Sequence, residues 1–162
     1  LRFFTVYGPW GRPDMFMMKY LESSFNSSKK FYLNNFGKHI RDFTYIGDIV
    51  EGVVLLASKP ATASNEFDPA TPDAGTSNVP WRIFNIGNGQ PTPLAEFVSA
   101  LESAFGIRAE KKLTDMQPGD VYATDADTKR LHDWVGFSPN TPVKAGVRAF
   151  VNWYKSYYEI KN

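Results

Sequence analysis

Cysteine, histidine and long apolar runs are scarce or missing in this sequence. Its 162 residues include no cysteine, which excludes disulfide bonds and thiolate chemistry. The two histidines, His39 and His132, lie far apart in the sequence, so we expect no zinc or other metal site. No apolar run approaches the roughly 20 residues that a transmembrane helix needs.

An excess of charge of one sign is missing too. The formal net charge is +1, so neither nucleic acid nor an anionic membrane is expected as a partner. No signal peptide is recognisable, and we therefore expect a cytoplasmic protein. The first residue is Leu1 rather than methionine, and residues 1–6 already have strand character. Since terminal residues usually fray, we expect the chain to be a piece of a longer protein.

The composition is that of a folded domain. Hydrophobic residues make up 43% of the sequence and aromatic residues 15%, and the length suffices for one domain with a core. Segments of strand character alternate with segments of helical periodicity, which predicts an α/β fold. No linker divides the chain, so residues 1–162 are expected to form one domain.

The pattern also predicts the individual elements. Strands are predicted at residues 3–6, 31–33, 41–46 and 81–86, and residues 59–80 are predicted to form a surface loop. The first helix should run from about residue 15 to Ser27-Ser28. The second should run from an N-cap at Asp48 to about residue 58, and because it is apolar nearly all round we expect it to be buried. Thr92 and Pro93 should open the third helix and Gly106 should end it. A short helix should end near residue 134, before Gly136, and Thr141-Pro142 should open the last one.

Thr5 and Arg12 are the first candidate site residues. Thr5 lies on the first predicted strand, and Arg12 follows the Tyr-Gly-Pro sequence that ends it. Open α/β sheets bind ligands at the carboxyl ends of their strands, and a guanidinium can bind a carboxylate or phosphate through two parallel hydrogen bonds. The alternative is an ordinary strand threonine and a solvated arginine.

Two further segments could bind a nucleotide. In Arg41-Asp42, the arginine at a strand entry could reach a diphosphate while Asp42 holds the arginine side chain; the alternative is a surface ion pair of little energetic value. In Gln117-Pro118-Gly119-Asp120, the Pro-Gly turn would present Asp120 to a ribose diol; the alternative is a turn with a local hydrogen bond.

Two familiar cofactor motifs are incomplete. Gly87-Asn88-Gly89 resembles the start of a dinucleotide-binding loop, but Thr92 stands where the pattern requires the third glycine. Tyr157 and Lys161 match the spacing Tyr-x-x-x-Lys, but they lie on a terminal helix that we interpret as packing. We therefore expect neither catalytic nor cofactor-binding residues in this chain.

Taken together, the segments are more specific than any one of them. The sequence resembles, over essentially its whole length, the C-terminal half of extended short-chain dehydrogenase/reductase enzymes, and most closely the UDP-glucuronate 4-epimerase group. The resemblance is carried by residues 3–15 (FFTVYGPWGRPDM), 41–46 (RDFTYI), 84–88 (FNIGN), 117–121 (QPGDV) and Trp153-Tyr154. It implies the substrate-binding C-terminal portion of a Rossmann-type enzyme, with only remnants of the parallel sheet.

The resemblance also implies an activity and roles for single residues. Such enzymes use NAD, held mainly by the N-terminal half, to invert C4 of a UDP-sugar through a 4-keto intermediate. Arg41 resembles the diphosphate ligand and Asp120 the ribose ligand. Tyr32 and Asn34 resemble the backbone positions that meet uracil, and Thr5 and Arg12 resemble the contacts to the substrate carboxylate.

The resemblance leaves alternatives open and has consequences for assembly. A UDP-glucuronate decarboxylase, a sugar-nucleotide dehydratase or a non-catalytic nucleotide-sugar binding module would fit as well. Family members are commonly homodimers joined through the N-terminal half. This chain alone is therefore expected to be inactive and not to form the usual dimer.

Overall fold

Short strands and longer helices alternate in the computed structural model, which describes residues 1–25 and 29–160. The five α-helices of this part of the chain are α1 (Phe16–Phe25), α2 (Ile46–Ser58), α3 (Leu94–Phe105), α4 (Lys129–Val135) and α5 (Val143–Tyr157). Its strands are β1 (Arg2–Phe3), β2 (Thr5–Tyr7), β3 (Phe31–Leu33), β4 (Ile40–Arg41), β5 (Phe43–Tyr45), β6 (Asn85–Ile86), β7 (Thr92–Pro93) and β8 (Lys111–Leu113). The predicted α/β class is confirmed.

The strands form four two-stranded pairs in the described residues. Strand β1 pairs with β6, β2 with β5 and β3 with β8, all parallel, whereas β4 and β7 are antiparallel. The predicted strand at residues 3–6 is therefore interrupted at Phe4, because its first part pairs with β6 and its second part with β5. The predicted strand at 41–46 is likewise divided at Asp42. Of the predicted strand at 81–86, only residues 85 and 86 form a strand, while Arg82 makes an isolated antiparallel bridge with Thr76.

Two apolar clusters hold the helices on these strands. The larger one joins α1, α3 and α5, and its fully buried side chains include Tyr20, Phe97, Leu101, Val147 and Phe150. Phe43 of β5 stacks on Phe97 with ring centroids 3.9 Å apart, which ties this cluster to the strands. The smaller cluster lies between α2 and α4 and contains Ile49, Leu56, Phe84, Ile86 and Leu131.

Helix ends were predicted better than helix starts. Gly106 and Gly136 end α3 and α4 in the left-handed conformation, with φ of 85° and 70°, as glycines commonly do after a helix. The predicted start at Thr92 and Pro93 is wrong, because these two residues form β7 and α3 begins at Leu94. The predicted first-helix end at Ser27-Ser28 lies outside the described residues.

Helix α2 differs from its prediction in two ways. It begins at Ile46, so Asp48 lies in its first turn rather than at the N-cap. The Asp48 carboxylate instead accepts hydrogen bonds from the amide and hydroxyl of Thr141, at 3.0 and 2.7 Å, and so connects α2 to the start of α5. The prediction of full burial is also wrong, since Val50 and Val54 are more than half exposed. No helix in residues 1–25 and 29–160 is long and apolar enough to cross a membrane.

Candidate functional site

Five of the six residues predicted from the sequence line a single cavity. This cavity, of about 200 Å³, is lined by Thr5, Phe16, Tyr32, Leu33, Asn34, His39, Arg41, Phe43, Leu94 and Asp120. We call it the polar cavity because six of these ten residues have polar side chains, although apolar atoms make up most of its surface. Its polar side chains come from β2, β3, β4, the segment between β3 and β4, and the loop after β8, so residues up to 115 positions apart in the sequence meet here. Phe16 of α1 and Leu94 of α3 supply apolar walls.

The sixth predicted residue, Arg12, lies in an adjoining cleft. This larger cleft, of about 860 Å³, is lined by the segment from Arg2 to Arg12 and by Met15, Ile46, Asn85 and Thr124. Thr5 lines both the cleft and the polar cavity. The structure therefore places Arg12 and the other five predicted residues around two spaces that share one threonine.

Arg41 is held by backbone oxygens at the wall of the polar cavity. Its Nη1 donates to the carbonyls of Ile40 and Tyr122, at 2.9 and 3.1 Å. Its Nη2 lies 3.7 Å from Oδ1 of Asp120. Because the two carbonyls fix one side of the guanidinium, the other side is left facing Asp120.

Asp120 follows the tight turn that the sequence predicts. The amide of Asp120 donates to the carbonyl of Gln117 at 3.1 Å, and Gly119 has a φ of 82°, which glycine adopts without strain. The carboxylate of Asp120 lies between two basic groups, since its Oδ2 is 3.4 Å from Nε2 of His39. Asp120 therefore both closes a local turn and lines the polar cavity.

The predicted partnership between Asp42 and Arg41 is wrong. The Asp42 side chain is fully buried and accepts hydrogen bonds from the backbone amides of Asn88, Gly89 and Ala126, at 2.8, 3.0 and 3.1 Å. Successive residues of an extended chain point to opposite sides, so Arg41 and Asp42 face different surroundings. Asp42 fixes the loop after β6, and the partner of Arg41 is Asp120.

Arg12 is exposed and already has a partner. Its side chain is 71% exposed, and its Nε donates to Oδ1 of Asp14 at 2.5 Å. This hydrogen bond lowers the pKa of the Asp14 carboxyl below its ordinary value. The guanidinium contacts Met15 through Nη2, so it is oriented along the wall of the cleft.

Tyr32 and Asn34 lie at opposite ends of the same short segment. The ring of Tyr32 is exposed, and the ammonium of Lys112 lies 5.5 Å from its centre. Oδ1 of Asn34 accepts from the Thr114 hydroxyl at 3.0 Å. The backbone between them is tied to the next strand, because the carbonyl of Leu33 accepts from the amide of Thr114.

The glycine-rich loop at residues 87–89 does not provide a phosphate cradle. The amides of Asn88 and Gly89 already donate to the Asp42 carboxylate, and Thr44 Oγ1 accepts from Asn88 as well. Tyr157 packs against Trp10 and Trp153, while Lys161 lies outside the described residues. Within the described part of the chain, no three His, Asp or Glu side chains come together as a metal site.

His39 lines the polar cavity but is not among the site residues predicted from the sequence. In the sequence it is distinguished only as one of two histidines that lie far apart. The signal that could have found it is its position two residues before Arg41, since alternate residues of an extended segment lie on the same side. Asp42 was noticed but given the wrong partner, because the loop it binds is more than 40 residues away.

This fold and these motifs belong to a known family. Residues 1–87 match the model of the NAD dependent epimerase/dehydratase family, and the chain belongs to it. Over 159 residues it is 46% identical to Protein CapI of Staphylococcus aureus. This match covers 98% of this chain and 47% of that protein. Over 158 residues it is 41% identical to the "Probable UDP-glucuronate 4-epimerase" of Rhizobium meliloti, covering 97% of this chain and 46% of that one.

A solved structure gives the same picture. The UDP-glucuronic acid 4-epimerase of Bacillus cereus, in complex with UDP-glucuronic acid and NAD, superposes with a TM-score of 0.75 at 27% identity. The match covers 97% of this chain and 45% of that protein. The chain thus has the α/β architecture of part of an extended short-chain dehydrogenase/reductase, and it spans about half the length of the curated relatives it matches.

Proposed function

We propose that this chain is the substrate-binding, C-terminal portion of an NAD-dependent UDP-sugar 4-epimerase that acts on UDP-glucuronate. The observation that carries the proposal is the convergence of Thr5, Tyr32, Asn34, Arg41 and Asp120 on one polar cavity that adjoins the cleft of Arg12. The likeness to relatives named as UDP-glucuronate 4-epimerases supports the same substrate class.

We propose for each group the role that the resemblance to the epimerase group implies. The side of the Arg41 guanidinium that does not donate to backbone carbonyls would bind the diphosphate. The Asp120 carboxylate would accept hydrogen bonds from the ribose hydroxyls. The exposed Tyr32 and the neighbouring Asn34 would border the base. Thr5, which lines both spaces, and Arg12 in the larger cleft would meet the sugar carboxylate, so the ligand would extend from the polar cavity into the cleft.

The cofactor would be held elsewhere. The loop at residues 87–89 does not fit a dinucleotide pyrophosphate, because the amides of Asn88 and Gly89 already donate to Asp42. We therefore assign to this chain the binding and orientation of the nucleotide sugar, and we place the NAD site in a part of the enzyme outside it.

Calorimetry with UDP and uridine tests the proposed cavity. Arg41→Gln should weaken UDP binding by about tenfold or more and leave uridine binding nearly unchanged, since one charge-assisted phosphate contact contributes roughly 1.5–3 kcal/mol. Asp120→Asn should weaken the binding of both UDP and uridine. Arg148→Gln, on an exposed position of α5, is the matched control and should bind both as the unchanged chain does. Unaltered UDP binding by Arg41→Gln would refute the assignment.

The carboxylate site is tested by comparing two UDP-sugars. Arg12→Gln should reduce the affinity for UDP-glucuronate by about threefold to tenfold and spare UDP-glucose, because Arg12 is exposed and screened by water. An equal loss for both sugars would show that Arg12 acts on the nucleotide or on the fold, and the substrate assignment would then fail.

A further inference from the structure

His39 is a buried basic group in the polar cavity that the roles above leave unused. Its side chain is 6% exposed, and its Nε2 has no hydrogen-bond partner among residues 1–25 and 29–160. Nε2 lies 3.4 Å from Asp120 Oδ2, close enough for an ion pair but without the geometry of a hydrogen bond. A buried polar atom without a partner is costly, so its direction toward the cavity requires an explanation.

The backbone holds His39 in this position at some cost. Asn35 and Phe36 have φ of 50° and 52°, a left-handed conformation that asparagine adopts fairly readily but a bulky residue such as phenylalanine rarely does. Together with Gly37 they lie in a short 3-10 segment between Asn34 and His39, both of which line the cavity. The carbonyl of His39 then accepts from the amide of Leu94 at 2.8 Å. Strain of this kind persists where the surrounding structure fixes it, commonly beside a functional site.

Asp120 lies between two basic groups that compete for it. Its Oδ2 faces His39 at 3.4 Å, and its Oδ1 faces Arg41 at 3.7 Å. The carboxylate offsets the charge of whichever group it approaches, and the interaction is strong because His39 is buried and Arg41 largely so. The more Asp120 is drawn toward His39, the less it neutralises Arg41.

We infer that His39 is a positioning residue whose protonated imidazole draws Asp120 away from Arg41, leaving the Arg41 guanidinium free for the diphosphate of a nucleotide sugar. The inference rests on the proposed function of this cavity. Histidine is the side chain that ordinarily changes charge near neutral pH. The summed charge of the His39, Asp120 and Arg41 side chains is +1 when His39 is protonated and zero when His39 is neutral. An anionic ligand therefore favours the protonated state of His39.

The other groups around His39 do not duplicate this effect. The cavity's titratable lining consists of Tyr32, His39, Arg41 and Asp120. Lys112 of β8 reaches the ring of Tyr32, and α1 and α3 contribute only the apolar Phe16 and Leu94 to the lining. Among the residues that line the cavity, His39 is the only histidine.

The test is calorimetry with UDP-glucuronate, whose diphosphate diester and carboxylate stay ionised throughout this pH range. Binding is measured at several pH values in buffers of different ionisation enthalpy, which gives the number of protons taken up. The unchanged chain should bind about threefold to tenfold more tightly at pH 6 than at pH 8 and should take up a fraction of a proton on binding near neutral pH. His39→Gln keeps an N–H donor but does not titrate, so it should lose both effects.

His132→Gln provides the matched control. It makes the same chemical change at the other histidine, which lies on α4, contacts Ser138 and does not line the cavity. It should retain the proton uptake of the unchanged chain. Thermal unfolding of both variants shows whether they remain folded, and a proton-uptake difference between two folded variants cannot come from a merely structural role.

The outcomes separate this inference from the proposed function. Proton uptake that is lost in His39→Gln and kept in His132→Gln supports the inference. Equal proton uptake by His39→Gln and the unchanged chain overturns the inference but leaves the nucleotide-sugar site standing. No binding of UDP-glucuronate by the unchanged chain at any pH overturns both.

Discussion

At the scale of single residues, Asp42 connects two loops close to the site. Its buried carboxylate accepts three backbone hydrogen bonds from two separate segments. Asp42→Asn replaces one acceptor oxygen by an NH₂ group that would face backbone N–H groups. We expect the free energy of unfolding to fall by about 3 kcal/mol, since hydrogen bonds to a charged group contribute roughly 1.5–3 kcal/mol each.

Urea unfolding measures this loss. Asp125→Asn is the control, because it makes the same change at an exposed position next to Ala126 and should alter stability by no more than about 0.5 kcal/mol. If the two variants unfold at the same urea concentration, the three hydrogen bonds of Asp42 do not stabilise the fold as we describe.

Arg41 and Asp42 also show what the sequence can and cannot predict about a residue. Charge and position were enough to select Arg41 and Asp120 as residues of interest, and the structure places both in one cavity. The partner of Asp42 could not be predicted, because it lies in the loop at residues 88 and 89 and in Ala126. Contacts at such separations depend on the fold rather than on a local pattern.

At the scale of elements, Gly146 sets the distance between α5 and the β2–β5 pair. A Cβ at this position would overlap the hydroxyl of Tyr7 and lie 2.9 Å from Cδ2 of Tyr45. Gly146→Ala should therefore lower the free energy of unfolding by about 1–3 kcal/mol, as overpacking usually does, although alanine favours the helix.

A second substitution identifies the cause of that loss. Tyr7→Phe removes the atom nearest to the added Cβ, so the double variant should recover part of the stability that Gly146→Ala loses. Chemical denaturation of the two single variants and the double variant gives the coupling. Strict additivity would mean that the two positions do not meet, and our account of this contact would be wrong.

Glu102 joins three elements and makes their packing depend on pH. It accepts hydrogen bonds from Tyr20 of α1 and from Lys111 of β8, the latter at 2.6 Å. Burial alone would raise the pKa of Glu102, but the hydrogen bonds from Lys111 and Tyr20 and the charges of Lys111 and Arg108 outweigh it and lower the pKa. The stability that Glu102 contributes is therefore full above its ordinary pKa of 4.5 and is lost as the pH falls through the lowered value.

Glu102→Gln should remove this dependence. At neutral pH the variant should be less stable by about 2 kcal/mol, and the difference should shrink as the pH falls below about 4.5. Glu66→Gln, in the exposed loop at residues 59–80, should show no such difference. Urea unfolding between pH 3 and pH 7 makes the measurement, and a constant gap across that range would contradict the argument.

Elements were predictable where the cause is local. Gly106 and Gly136 end helices because the left-handed conformation is easiest for glycine, and the buried stripe of α5, including Val147, Phe150 and Val151, follows from helical spacing. The breaks at Phe4 and Asp42 were not predictable. Each marks a place where one strand changes partners, and the partners come from distant parts of the sequence.

At the scale of the whole molecule, we expect this chain to bind UDP-glucuronate without converting it. The cavity's titratable lining consists of Tyr32, His39, Arg41 and Asp120, and Lys112, whose ammonium lies 5.5 Å from the centre of the Tyr32 ring, stands outside this lining. The backbone amides at Asn88 and Gly89 are already bonded to Asp42, so the loop that most resembles a dinucleotide site cannot receive a pyrophosphate. If the proposed function is right, nucleotide-sugar binding and redox chemistry should therefore be separable, with this chain supplying the binding.

Incubation with NAD and UDP-glucuronate, followed by NMR of the sugar products, tests that separation. The Bacillus cereus UDP-glucuronic acid 4-epimerase, run under the same conditions, shows that the assay detects the C4 epimer. Calorimetry on the same sample of this chain shows that it is folded and binds UDP. Under the proposed function we expect UDP binding with no new sugar signal, because this chain would hold the nucleotide sugar while the groups that accept the C4 hydroxyl proton and the hydride would lie in another part of the enzyme. Formation of the C4 epimer, or of a pentose by loss of carbon dioxide, would show that the chain contains a complete catalytic site.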